Sequence, residues 1–206
     1  MDVKGDNEAG EGLRAQRSQE TREALIATAR RLFAERGYSD VGTEEIVRSA
    51  GVTRGALYHH FKGKTDLFEA VYERVEHELV QDIAATVSTS ATDPLDALRA
   101  GANAFLQACE DPATQRIALL DAPSVLGWER WREVGQENGL GLVATVLQEA
   151  IDAGQLAPQP VGPLSHVLMG AIDEGAMLIA RADDGGATRE QVGATIERLI
   201  DALSAR

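Results

Sequence analysis

Five side chains that can hold a phosphate or a base edge fall within eleven residues: Arg54, Tyr58, His59, Lys62 and Lys64. All five can donate hydrogen bonds to phosphate oxygens, and an arginine can also grip a guanine edge in the major groove. Gly55 and Ala56, directly after Arg54, are small enough to let backbone and methyl groups approach base edges, thymine methyls included. A basic cluster by itself is ordinary on a solvated helix, so its meaning depends on the elements that carry it. Catalytic chemistry finds no comparable constellation. Cys109 has no nucleophile signature around it, and the adjacent His59 and His60 are unsuited to sharing a metal. No Gly-rich phosphate loop, CxxC or HExxH is present, so neither an enzyme nor a metal or cofactor is expected.

The elements around the cluster read as two short helices. Thr43 suits an N-cap for the first, with Glu44 and Glu45 complementing its dipole and Ile46, Val47 and Ala50 forming an apolar face before Gly51. Thr53 caps the second, whose apolar positions are Ala56, Leu57 and Phe61. Two helices of about two turns, joined by a short turn containing glycine, form a helix-turn-helix. The helix starts at Thr43 and near Lys64 also offer backbone N–H groups that suit phosphate. Upstream, Leu25, Ile26, Ala29, Leu32 and Phe33 keep a helical period. They predict a helix near 20–36, capped by Ser18 or Thr21 and stopped at Gly37. Residues 1–17, polar and without such a period, predict a disordered arm.

Downstream, the periodicity predicts helices over 64–90, 94–109, 112–120, 128–153, 164–181 and 188–205. The three prolines between Leu156 and Pro163 mark a connector. No strand-period segment or internal repeat stands out, and the expectation is an all-α chain of about nine helices.

Charge sharpens the division. The net charge of -13 is unfavourable for a protein that meets phosphates. Residues 13–66, however, hold ten basic and seven acidic side chains, whereas residues 67–206 hold nine and 22. A locally basic N-terminal module is joined to an acidic body that would repel DNA, leaving the basic module as the docking surface. The apolar stretches are too interrupted to span a bilayer, the N-terminus lacks a signal-peptide core, and one cysteine fits a reducing compartment. A cytoplasmic protein without membrane contact is expected.

Residues 20–68 resemble the DNA-binding domain of the tetracycline-repressor (TetR) family. Ala29, Leu32, Phe33, Gly37 and Tyr38 match its first helix, and Thr43, Val47, Ala50, Gly51, Val52 and Thr53 match its bihelical segment. Gly55, Leu57, Tyr58, His60, Phe61 and Lys64 match the block that follows. Arg48 departs from the pattern, standing where the family usually has alanine; it either adds a contact or occupies a solvent edge. The resemblance implies a bacterial regulator with a three-helix DNA-binding domain over 18–66 and a helical effector-binding and dimerisation domain over 67–206. It implies phosphate contacts from Thr43, Thr53, Tyr58, His59 and Lys64, and base contacts from Arg54, Gly55 and Ala56. With Arg48 and Lys62 these make ten candidate DNA-binding residues. Arg22 is a further phosphate candidate, and His60 is ambiguous between packing and contact. The partners implied are double-stranded operator DNA, a second copy of the chain and a small-molecule effector.

In the body, Trp128 and Trp131 lie three apart on one predicted helix, where they either line an aromatic pocket or pack in the core or a dimer interface. Phe105, Met169 and Met177 are open to the same alternatives. Asp121 and Asp173 are carboxylates inside apolar segments, and a buried carboxylate needs a partner: an arginine, His166 or a cationic ligand. The apolar stripes of 164–181 and 188–204 suggest the dimer surface, a four-helix bundle with the two-fold mate. The rivals are an activator or effector-independent regulator of the same fold, and a helical binding protein without DNA binding.

Overall fold

The computed structural model describes the backbone of residues 4–204, and the side chains of residue 12 and residues 14–204. The helices run α1 (Lys4–Arg36), α2 (Thr43–Ser49), α3 (Arg54–His60), α4 (Lys64–Ser90), α5 (Pro94–Ala108) and α6 (Pro112–Thr114). A π-helical stretch (Gln115–Asp121) follows, and then α7 (Ala122–Leu126), α8 (Trp128–Asp152), α9 (Val161–Arg181) and α10 (Gly185–Leu203). Among the described residues there is no strand beyond an isolated bridge between Leu156 and Ser204. The chain divides into two compact units, residues 1–72 and 73–206.

In the N-terminal unit, the periodic face of α1 is buried through Leu25, Ile26, Ala29, Leu32 and Phe33. Phe33, Tyr38 and Phe68 close a ring cluster with centroids 5.1–5.8 Å apart, and Ile46, Leu57 and Phe61 bury the inner faces of α2 and α3 and the residue after α3. Glycine is required twice here. Gly37 (φ +82°) reverses the chain after α1, and Gly51 (φ +68°) makes the turn between α2 and α3, a conformation that a side chain disfavours.

Three expectations are corrected. The arm expected to be disordered over 1–17 is helical from Lys4; residues 1–3 lie outside the described residues. Once the packed turns of α1 nucleate the helix, each further residue adds a hydrogen bond at little cost. Exposed i,i+4 pairs such as Gln16–Glu20 and Gln19–Glu23 add to it. Thr21 therefore lies inside the helix, its hydroxyl donating back to the Arg17 carbonyl at 2.9 Å, rather than capping it. At α2 the N-cap is Gly42, in extended backbone, and Thr43 is the first helical residue. The Thr53 cap is present as expected, its hydroxyl oxygen accepting from the Ala56 N–H at 3.2 Å.

In the second unit α5, α8, α9 and α10 form a four-helix arrangement in which α5 packs on α8 and α10, and α9 on both. One core cluster joins Leu95, Leu98, Ala102, Leu147, Leu168 and Ile196. Another joins Leu106, Cys109, Leu119, Ala176, Met177 and Ile179. Aspartates start three of the helices: Asp93, Asp111 and Asp184 accept from the N–H three residues on at 2.9, 2.8 and 3.0 Å, satisfying backbone donors that the first turn leaves without a helical partner. Arg99 on α5 ties to Asp201 on α10 at 2.7 Å.

The single α-helix expected over 112–120 is interrupted by the π-helical stretch, and the local chemistry shows why. The Ala122 N–H donates to the Ile117 carbonyl, one residue beyond its α-helical partner, and Pro123 has no N–H to give. Neither can serve the Ala118 carbonyl. The indole N–H of Trp131, on α8, fills that role at 2.8 Å.

Candidate functional site

The exposed side of α2 and α3 gathers most of the predicted DNA-contacting residues. Arg48, Thr53, Arg54, Gly55, Tyr58, His59 and Lys62 are all exposed, while Thr43 and Ala56 are half-buried. Leu57, fully buried on the opposite side of α3, fixes which face looks outward. Arg54 is not idle: its guanidinium lies 3.7 Å from the Glu44 carboxylate and 5.5 Å from the centroid of the Tyr58 ring. Tyr58 is 47% exposed. His59 and His60 meet edge to face at 5.0 Å. Burial, then the neighbouring His59 and Arg22, push the His60 imidazole down, so it favours the neutral form.

Lys64 differs from the rest. Its ammonium donates to the Tyr38 carbonyl at 2.8 Å and the Val41 carbonyl at 3.0 Å, and lies 3.9 Å over the Tyr38 ring. Burial lowers its pKa, with Asp40 pulling the other way. It therefore holds the segment between α1 and α2 to the start of α4. Arg22 is placed over the Phe61 ring at 5.3 Å, at the end of α3 rather than apart from it.

In the body, the candidate effector residues separate. Trp131 is 5% exposed and hydrogen-bonded, and Met177 belongs to the second core cluster with Phe105 packed against it. Trp128 is 53% exposed, its ring 4.8 Å from Trp131 and 5.7 Å from the Arg132 guanidinium. His166 is exposed; Asp121 and Met169 are half-buried. Asp173 carries the clearest electrostatic signal. Burial pushes its carboxyl up to about 6, opposed by Arg132. Arg132 reaches α9, lying 3.9 Å from where a Cβ at Gly170 would stand, one turn before Asp173. The Cys109 thiol is also pushed up, by burial first and then by Glu76 and Asp173. Among the described residues no group of three or more His, Cys, Asp or Glu is placed to hold a metal ion. No helix among them is long and apolar enough to cross a membrane.

Comparison with known proteins decides the identity of both units. Residues 25–71 match the family model described as bacterial regulatory proteins, tetR family. Residues 95–203, over half the chain, match that of the tetracyclin repressor-like C-terminal domain. The chain belongs to the TetR family. It is similar to the transposon Tn10 TetC protein of Escherichia coli, 31% identical over 150 residues, 73% of this chain and 75% of that protein. It is also similar to the HTH-type transcriptional regulator AcrR of Shigella flexneri, 42% identical over 84 residues, 41% of this chain and 39% of AcrR. A solved TetR-family regulator from Pectobacterium atrosepticum has the same fold, with a TM-score of 0.82 and 34% identity over 93% of this chain and 97% of that one. The protein is thus a TetR-family, helix-turn-helix DNA-binding transcriptional regulator.

For this TetR regulator the structure brings together what the sequence left apart. Arg132 comes to Asp173 from 41 positions away, and Glu44 comes to Arg54 across the turn. Neither pairing has a local sequence signal, because each spans two helices. The Asp173 environment gives a pH prediction. A carboxyl with a raised folded pKa stays protonated in the fold while the unfolded chain ionises. Between about pH 4 and 6 folding then takes up a proton, and stability falls as pH rises; above 6 the penalty is complete. Asp173→Asn removes that ionisation. It is expected to be more stable than wild type by about 1–3 kcal/mol at about pH 7.5, the difference shrinking toward zero near pH 4. Paired urea titrations across this range check it, since other carboxylates cancel in the difference. A pH-independent difference would mean that Arg132 keeps the carboxylate ionised throughout.

Proposed function

We propose that this TetR-family protein is a ligand-responsive homodimeric repressor of the bacterial cytoplasm that binds a palindromic operator. Residues 18–66 form the DNA-reading domain and residues 67–206 the effector-binding and dimerisation domain. The observation that carries the reading is the exposed face of α3, where Arg54, Gly55, Tyr58 and His59 stand clear of a fully buried Leu57. Arg54, Gly55 and Ala56 approach base edges, while Thr43, Arg48, Thr53, Tyr58, His59 and Lys62 meet phosphates. Lys64 offers phosphate its remaining N–H from a fixed position.

Dimerisation is assigned to 164–181 and 188–204. Ala171, Gly175, Leu178, Val192, Ile196 and Leu199 line a groove between α9 and α10, and Leu178 and Leu199 are large apolar side chains about half exposed there. The effector reading is supported by Asp173, a carboxyl whose pKa burial raises against the pull of Arg132, a balance that a polar ligand would alter. Release follows if the effector favours a head spacing that does not fit DNA.

Selection of binding duplexes from a randomised pool by the full-length protein, followed by footprinting, tests this. The expected site is an inverted repeat with half-sites about one helical turn apart, occupied by two chains. Compounds that raise the melting temperature of the free protein are then expected to release that site. Occupancy by a single chain, or release by none of the stabilising compounds, would sink the dimeric or the ligand-responsive part respectively.

A further inference from the structure

Two adjacent glutamates at the start of α2 serve different partners. Glu45 is half-buried and closes an ion pair with Arg36 at the end of α1, fastening α1 to α2. Glu44 is 82% exposed and takes no part in that joint. Its carboxylate stands instead 3.7 Å from Arg54, the first residue of α3. The Tyr58 ring lies 5.5 Å from it, so the guanidinium has contacts both to the neighbouring helix and to the next turn of its own.

A carboxylate on a surface that meets DNA is unfavourable. Phosphates within a Debye length of about 8 Å repel it with little screening. The start of α2 does not depend on Glu44, because Gly42 begins the helix and Glu45 also complements its dipole. What Glu44 does alter is the availability of Arg54. Carboxylate, phosphate and base edge compete for the same N–H groups. A phosphate can also take two N–H groups, but it is an anion that the carboxylate repels, whereas a guanine edge is neutral and presents O6 and N7 side by side to two N–H groups.

We infer that Glu44 is a specificity-determining residue of the DNA interface: it holds the Arg54 guanidinium back from phosphates and yields it to a base edge that accepts two hydrogen bonds. This rests on the reading of Arg54 as a base-contacting residue. Specificity is a difference of affinities, so withholding Arg54 from non-cognate DNA raises discrimination even while it weakens every complex somewhat. For an exposed ion pair the effect is about two- to fivefold.

The test uses full-length wild type, Glu44→Gln, Arg54→Ala and the double variant, each checked for an unchanged melting curve. Binding is measured to the duplex selected by wild type, to its single-base variants and to a random-sequence duplex. Glu44→Gln is expected to bind the random duplex about two- to fivefold tighter, with the preference for the selected duplex falling by a similar factor. That loss is confined to the base positions that Arg54→Ala also relaxes, and it vanishes in the Arg54→Ala background. Equal tightening on selected and random duplexes, or a change in base preference that persists without Arg54, overturns the inference alone. An Arg54→Ala protein with wild-type base preference overturns the base-reading role of Arg54, and this inference with it.

Discussion

Arg54→Ala is expected to weaken binding to the selected operator by about 1–3 kcal/mol and to relax preference at one base position per half-site. The size follows from the role proposed for Arg54, a bidentate grip on a base edge, in a residue that is 66% exposed at the first turn of α3. The fold is not at stake, because Arg54 contributes only an exposed ion pair and a ring contact to its own unit. Titration against the selected duplex and its single-base variants checks the prediction. A base-reading arginine loses affinity for the cognate base and little for the others. A uniform loss across all sequences, with a shallower salt dependence, would make Arg54 a phosphate contact instead.

The largest stability effect is expected in the body. Trp131→Ala should cost about 3–5 kcal/mol in denaturant unfolding followed by circular dichroism. The indole is buried at α8 and supplies the donor that the π-helical stretch denies to Ala118. Trp131→Phe separates the two contributions: it keeps most of the apolar volume but leaves that carbonyl without a donor, for about 1–3 kcal/mol. Trp128, on the surface side of the pair, should be far more tolerant. A Trp131→Ala protein that kept its stability but lost its response to an effector would return the residue to a pocket.

The helix-turn-helix was legible because its signals are local. Gly51 at a turn that needs positive φ, Thr53 as a cap and the 3.6-residue period of α1 each act within a few residues. The helices of the body were legible for the same reason, with aspartates and prolines at their starts. What stayed hidden depends on partners far along the chain. The π-helical stretch follows from Pro123 only once Trp131 is known to fill the gap. The N-terminal turns of α1 have no hydrophobic period to announce them and extend a helix already formed. Lys64 reads as one more exposed cation in a basic run. Only folding brings the Tyr38 and Val41 carbonyls to it. In the effector region Asp173 stood out as a carboxylate in an apolar segment, but nothing near it in sequence pointed to Arg132.

The seclusion of Cys109 has a consequence for how the regulator can be watched. It is the only cysteine in the chain, 1% exposed in the second core cluster, with a thiol held in its protonated, unreactive form. A thiol reagent can therefore modify the folded body only during the moments when that cluster opens. The rate of labelling is a clock for breathing of the body, built into the native sequence without any added probe. Any molecule that clamps the helices around Cys109 slows the clock, whether or not DNA is present.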